Sequence, residues 1–443
     1  MTRVEPDHPG EPHARTPDHS SRSSLRDRFR GNHLVNNSLY LMLNSGLQAG
    51  AGFIFWVISA RLFSVSNVGL ATALYSAAGV VGFSALLGLN STAVRYLPAS
   101  HDRDVLITAM LTVVSGAAAL LAALYLVIMP FVSPKLAFVV HQPALEIAFV
   151  VLSAIGVVNL LTDSIFIGLR QARFNALVDG GIGGIAKIAS SIAIASAGAG
   201  AFGLFVASAV GSSAAAVASI VLLLTVDKAR PSLRGAVSVL RPLVRFSGAN
   251  YVGNLLTLLP TFIVPLIVLD RVGVHAAAYY YIAYQMANLL FAGVFAVEQT
   301  FLAEGSHADV ELRAIMGRSW RLLALFCVPS TALLAVGAHW LLLLFGHGYS
   351  ANGTDVLIIL SLSALPLGVF NWLLTVLRLT GQLRAIVIGN VVFAVFTCVL
   401  AYLLAPWGVA VLSLAWLIGL VLASIVVGVP VWRWSRQTNQ APA

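Results

Sequence analysis

The sequence predicts an all-α polytopic membrane protein of twelve transmembrane helices in two related six-helix lobes, and three observations carry the prediction. The 443-residue chain is 59% hydrophobic and only 10% charged, where a soluble globular domain carries roughly 25% charge. Its apolar residues gather into twelve runs, each near the roughly 20 residues that a bilayer core of about 30 Å requires. Its basic residues alternate between successive connections, as membrane topology demands.

In chain order, residues 1–33 read as a disordered cytoplasmic tail, rich in Pro, His, Ser and Arg and without apolar periodicity. The first apolar run starts too late and runs too long for the core of a signal peptide. The N-terminal lobe, 34–226, holds predicted spans at Asn37–Ala60, Val68–Asn90, Val105–Phe131, Ala144–Gly168, Phe174–Ala197 and Ala201–Val226. Residues 227–245 form a basic cytoplasmic linker with Lys228, Arg230, Arg234, Arg241 and Arg245. The C-terminal lobe, 246–434, holds Phe246–Leu269, Ala276–Leu302, Leu322–Phe345, Val356–Leu377, Ala385–Leu404 and Val409–Val431, and 435–443 form a second cytoplasmic tail.

With the first tail inside, 22 of the 26 Lys and Arg residues fall on the cytoplasmic side. The outer loops hold only Arg61, Lys135 and Arg271, and Lys187 alone lies within a span. This places both termini in the cytoplasm of a multi-pass protein of the cell (plasma) membrane. The net charge of +9 is therefore topological, and no polar domain exists to gather it into a nucleic-acid surface. Cys327 and Cys398 sit alone in apolar runs, with neither disulfide nor metal spacing, and read as packing residues.

A shift of 208 residues lays the fourth span on the tenth: Leu152-Ser153 on Leu360-Ser361, Asp163 on Asn371, Leu169-Arg170 on Leu377-Arg378, and Gly181 on Gly389. Each half has an even number of spans, so both begin on the same side. An axis along the membrane normal then relates them, with a site between.

The polar residues within spans are the candidate binding groups. Ser247, Asn250, Asn254, Thr257 and Thr261 make one stripe on the seventh span. Asn37, Asn44 and Gln48 repeat the pattern on the first, and Tyr281, Gln285 and Asn288 on the eighth. Together these faces predict a hydrated central cavity lined by spans one, seven and eight, against the alternative of interhelical hydrogen bonds. Gly180, Gly184, Lys187 and Ser191 share one face of the fifth span. Lys187 lies about 18 Å from the cytoplasmic edge at 1.5 Å per residue, too deep for its side chain to reach water by snorkelling. Two roles fit it: an anchor for an anionic headgroup, or a pair with Asp163 on the preceding helix. Asp179 and Glu298 read as solvated or interfacial carboxylates, and the glycines as close-packing residues. There is no Ser/His/Asp set, metal spacing or nucleotide fingerprint, so the reading is transport without a cofactor, not catalysis.

The stretch from Ala60 to Gly69, ARLFSVSNVG, and that from Ala93 to Pro98, AVRYLP, resemble features of polysaccharide-transporter flippases. So do Asp163–Arg170 and the stretch LFGHGYSA from Leu344 to Ala351. The chain is similar to this polysaccharide transporter / O-antigen flippase-like family of the multidrug/oligosaccharidyl-lipid/polysaccharide exporter superfamily over about residues 35–435. The resemblance implies a V-shaped two-lobed bundle that flips a polyprenyl-pyrophosphate-linked oligosaccharide to the outer leaflet by alternating access. Its partners would be that lipid-linked oligosaccharide, membrane lipids and a coupling ion, H+ or Na+. Members usually have a cationic cavity, whereas Lys187 is the one buried cation here. The lipid II branch typically carries two further helices that this chain lacks, which favours polysaccharide or O-antigen precursors. Two other readings rank lower. A drug/cation antiporter of the same superfamily wants acids deep in the first lobe, where Asp163 is the good candidate. A membrane glycosyltransferase or polymerase wants a large outer loop, and the outer loops here are short.

Overall fold

The computed structural model describes the backbone of residues 20–305 and 312–440, and their side chains except those of 20–39, 244–246, 249, 250, 254, 303, 312, 313 and 437–440. Twelve helices among the described residues are long and apolar enough to cross a membrane. They are α1 (Tyr40–Leu62), α2 (Val65–Ala85), α3 (Arg103–Val132), α4 (Pro143–Gly168), α5 (Arg173–Ser196), α6 (Ala201–Thr225), α7 (Tyr251–Val272), α8 (Val274–Leu302), α9 (Ala314–Leu343), α10 (His347–Leu379), α11 (Leu383–Trp407) and α12 (Val409–Arg436). All twelve predicted spans are present, and the differences lie at their ends.

The helix that contains α1 begins at Ser20, so the last part of the expected disordered tail 1–33 is helical. Once a stable helix exists, extending it needs no new nucleus, and local composition counts for less. α2 stops at Ala85 because Leu87 and Gly88 turn with positive φ (50° and 74°), and the chain resumes as a short helix, Leu89–Tyr96. At Gly88 the turn presses on the carbonyl of Ser247, leaving no room for a Cβ. α10 starts at His347, so the stretch Gly346–Asp355, read from sequence as a loop, is mostly helix; the break before it is Gly346, at φ 134°. The expected linker 227–245 includes a short helix, Ala236–Leu240, and is strapped to α3. Arg230 N–H donates to Asp104 Oδ2 (3.0 Å), Ser232 N–H to Thr108 Oγ1 (3.3 Å), and Arg103 pairs with Asp227 at 3.4 Å.

The halves share one packing plan. In the first, α1 lies on α5, α5 on α6, α6 on α2 and α4, and α3 on α4. In the second, α7 lies on α11, α11 on α12, α12 on α10, and α9 on α10 and α8. The seam between lobes is made chiefly by α2 against α7 and α8. Small residues bring them close: Gly69 faces the carbonyl of Val274, Gly79 lies under the ring of Phe262, and Thr92 and Ser247 share a hydrogen bond of 2.6 Å. Between membrane helices there is no hydrophobic force to exploit, so such close approach supplies the attraction.

The face opposite the termini is tied across the seam by two cations. Arg61, at the end of α1, donates to the carbonyls of Leu343 (2.8 Å) and Leu344 (2.9 Å) at the end of α9. Lys135 donates to the carbonyls of Leu269 (2.7 Å) and Asp270 (3.3 Å) near the end of α7. Terminal helix carbonyls lack partners of their own and carry partial negative charge, so a cation is a natural cap. The third cation predicted on this face, Arg271, stacks on Tyr402 at 3.9 Å.

Candidate functional site

A cavity of about 350 Å³ lies at the seam. Its first-lobe wall comes from α2 (Tyr75, Gly79, Phe83), α4 (Ser153, Asn159) and α6 (Ser208, Ser212). Its second-lobe wall comes from α7 (Thr261, Phe262) and α8 (Tyr281, Tyr284, Gln285, Asn288). Tyr75 and Tyr281 meet edge to face, centroids 6.1 Å apart, and the Tyr284 hydroxyl shares a 3.0 Å hydrogen bond with Thr261. The lining includes no Asp, Glu, Lys, Arg or His among the described residues.

The cavity thus draws on different helices from those the polar stripes suggested. Gln285, Asn288, Tyr281 and Thr261 do face it. Asn44 and Gln48 do not: they bond to each other along α1 (3.3 Å), and α1 packs on α5, one layer back from the seam. Thr257 returns its hydroxyl to the Gly253 carbonyl (2.9 Å) and is absent from the lining. The side chains of Asn250 and Asn254 lie outside the described residues. α2, α4 and α6 escaped notice because their lining is glycine, serine and aromatic, which forms no polar stripe.

Lys187 stands behind the Tyr75 wall in an aromatic cage. Its Nζ lies 4.4 Å from the ring centre of Phe55, 5.8 Å from Tyr75 and 6.0 Å from Trp56. Such contacts are worth about 0.5–2 kcal/mol each, more when water is excluded. The remaining members of its face pack on α1. Gly184 approaches Ala51 so closely that an added Cβ would lie 2.8 Å from the alanine Cβ, and Ser191 bonds Ser59 at 3.0 Å. The glycines are close-packing residues.

The expected pair of Lys187 with Asp163 does not form; among the described residues Lys187 has no acidic partner within salt-bridge range. The reason is the helix that this face meets: Gly180, Gly184, Lys187 and Ser191 lie against Leu47, Ala51, Phe55 and Ser59 of α1. Asp179, off that face, is the residue that reaches Asn159 of α4. Asp179, expected to be solvated or interfacial, is only 8% exposed, and its carboxyl group lies near that of Asp163. Asn159 Nδ2 donates to Asp179 Oδ1 (3.0 Å) and Asn175 Nδ2 to the Asp163 carbonyl (3.1 Å). Asp163 Oδ1, Asp179 Oδ2, Asn159 Oδ1 and Asn175 Oδ1 are buried without a hydrogen-bond partner. Two neighbouring carboxyl groups buried in such a place call for a shared proton or a cation. Asn159 belongs both to this cluster and to the cavity wall. The sequence did carry a signal for it: Asn159 and Asp163, like Asn175 and Asp179, stand four apart, each pair on one helical face.

Residues 58–352, more than half of the chain, match the family described as Polysaccharide biosynthesis protein. The chain belongs to this family. Its fold is that of the wider exporter superfamily. One similar structure is the inward-facing conformation of a multidrug resistance MATE family transporter of the MOP superfamily, with TM-score 0.70 and 15% identity, covering 91% of this chain and 100% of that one. Another is the lipid II flippase MurJ in an inward closed conformation, with TM-score 0.68 and 12% identity, covering 89% and 87%. No curated protein matches the chain. In this member of the polysaccharide biosynthesis family, the second lobe holds an acid of its own. Glu298 of α8, also expected to be solvated or interfacial, is buried and bonded to Arg378 of α10 at 2.6 Å and to Thr375 at 3.4 Å.

Proposed function

We propose that the protein flips a polyprenyl-pyrophosphate-linked oligosaccharide from the cytoplasmic to the outer leaflet of the cell membrane, by alternating access between its lobes, for cell-surface polysaccharide synthesis. The observation that carries this reading is the cavity at the lobe seam, in a chain of the polysaccharide biosynthesis family. The glycan occupies that cavity against Gln285 and Asn288, Lys187 supplies positive charge behind Tyr75 for the pyrophosphate, and the lipid tail stays in the bilayer. The Asp163–Asp179 pair takes the coupling proton or Na+, and Asn159 links its occupancy to the cavity wall. The cations Arg61 and Lys135 close the outer face and release it when the lobes rock. The termini and the basic linker stay in the cytoplasm.

The carboxyl pair also favours a second reading, a drug/cation antiporter, because buried acids suit cation exchange. Deleting the gene separates the two. A flippase leaves lipid-linked oligosaccharide on the cytoplasmic face of the deletion strain, and the wild-type chain clears it while Lys187→Ala clears it poorly. Normal precursor levels in the deletion strain, together with hypersensitivity to lipophilic cations, would establish the antiporter instead. Full rescue by Lys187→Ala would remove only the lysine from the proposal.

A further inference from the structure

The cavity specifies more than a glycan in general. We infer that it is a site for an uncharged sugar unit, recognised by the Tyr75 ring and by neutral amides and hydroxyls, and that it discriminates against acidic sugars and organic cations. The inference rests on the flippase reading.

Three features of the wall converge on this ligand. The first is neutrality: the described lining holds no ionised side chain. The cation nearest the cavity, Lys187, stands behind Tyr75 at the end given to the pyrophosphate, so a uronate carboxylate elsewhere on the wall would lose its water without gaining a counter-charge of its own, and burying an unpaired charge is among the costliest steps available. The second is a surplus of polar groups that the protein leaves unused. Ser153 Oγ is buried with no partner, and Asn159 Oδ1 likewise. Gln285 and Asn288 have no hydrogen-bond partner among the described residues, although both face the cavity. Unpaired amides and hydroxyls match sugar hydroxyls, which both donate and accept. A site built to bond hydroxyl groups rejects a ligand that lacks them. The third is the aromatic corner. Tyr75, the more exposed of the two rings, stands at 80° against the buried Tyr281, which holds it at the wall. Ring faces are electron-rich, and the C–H face of a pyranose packs on them without needing a charge.

An aromatic corner also attracts organic cations, and Lys187 decides against them. Its Nζ already lies 5.8 Å from the Tyr75 ring. A second cation against that ring would meet an ammonium group with no anion between them, and like charges repel. A volume of about 350 Å³ sits at the small end of ligand pockets, roughly 300–1,000 Å³, which suits a short saccharide and leaves the rest of a long chain outside.

The test uses the full-length protein in lipid nanodiscs and three probes: farnesyl pyrophosphate, farnesyl-pyrophosphoryl-N-acetylglucosamine, and farnesyl-pyrophosphoryl-glucuronic acid. The neutral-sugar probe should bind at least about tenfold more tightly than the other two. Gln285→Leu and Asn288→Leu should each erase that preference, and Tyr75→Phe should retain it. Unchanged melting temperatures show that the variants fold. Equal binding of all three probes by the wild type would overturn the sugar site and leave the flippase reading standing. So would a neutral-sugar preference that survives both leucine variants, since the sugar would then bind elsewhere. If no farnesyl probe binds and tetraphenylphosphonium does, the flippase reading itself fails.

Discussion

The two lobes share a packing plan, yet the first buries charge where the second buries aromatic rings. Asp163, Asp179 and Lys187 have as counterparts 208 residues on Asn371, Val387 and Val395. Asn371 is buried without a partner for its Nδ2, and the two valines are exposed on the outside of the bundle. The second lobe instead fills its centre with Tyr280, Tyr284, Phe291, Phe393 and Trp416, whose indole N–H donates to the Tyr280 hydroxyl at 2.8 Å. Its own acid, Glu298, is neutralised by Arg378. The plan therefore does not need charge in order to fold. A buried charge costs free energy that packing must offset, and the first lobe carries three charged groups that the second does without. That asymmetry is what the proposed ion site in the first lobe rests on.

Four measurements would break or sharpen this contrast. The largest effect should come from the aromatic centre: Trp416→Ala should cost about 3–5 kcal/mol of stability, read by thermal or denaturant unfolding in detergent. Lys187→Met should cost far less stability while slowing transport, and equal destabilisation by the two would mean that the lysine is structural. Next is the ion pair. Glu298→Gln loses a charge-assisted bond and should cost about 1.5–3 kcal/mol, whereas Asp163→Asn should leave unfolding within about 1 kcal/mol of wild type. In proteoliposomes the Asp163→Asn variant should lose any dependence of transport on a proton or Na+ gradient, and a retained dependence moves the coupling site elsewhere. Third, Gly184→Val should push α5 off α1 and cost about 1–3 kcal/mol, with partial recovery in the double variant with Ala51→Gly. No recovery would show that the contact lies elsewhere. The smallest effect belongs to the outer ties: Arg61→Ala and Lys135→Ala should each cost about 0.3–1 kcal/mol. Together they should raise the labelling of a cysteine placed at Thr261 by a reagent added from outside. Unchanged labelling would remove the ties from the gate.

Much of the fold was legible because the bilayer simplifies the physics. Length and hydropathy locate the spans, and the basic residues alternate with them, so twelve helices and their order follow from one dimension. Less of the site was legible. Periodicity shows which residues share a face of one helix, and it correctly grouped Gly180, Gly184, Lys187 and Ser191, all of which meet α1. It does not show which helix that face meets. Asn44 and Gln48 had as good a stripe as Gln285 and Asn288, yet only the latter pair faces the cavity.

The sequence by itself determined the environment, the twelve spans, the twofold repeat and the isolation of Lys187 as a charge in a span, since each depends on composition, order or spacing along the chain. Tertiary structure decided the partners. The face of α5 that carries Lys187 met α1 at Phe55 and left Asp179 to face α4, and glycines on α2 let that helix, with no polar stripe to announce it, form the cavity wall. The physical reason is that spacing along the chain sets which residues share a face, whereas which helix that face meets depends on how backbones approach in space.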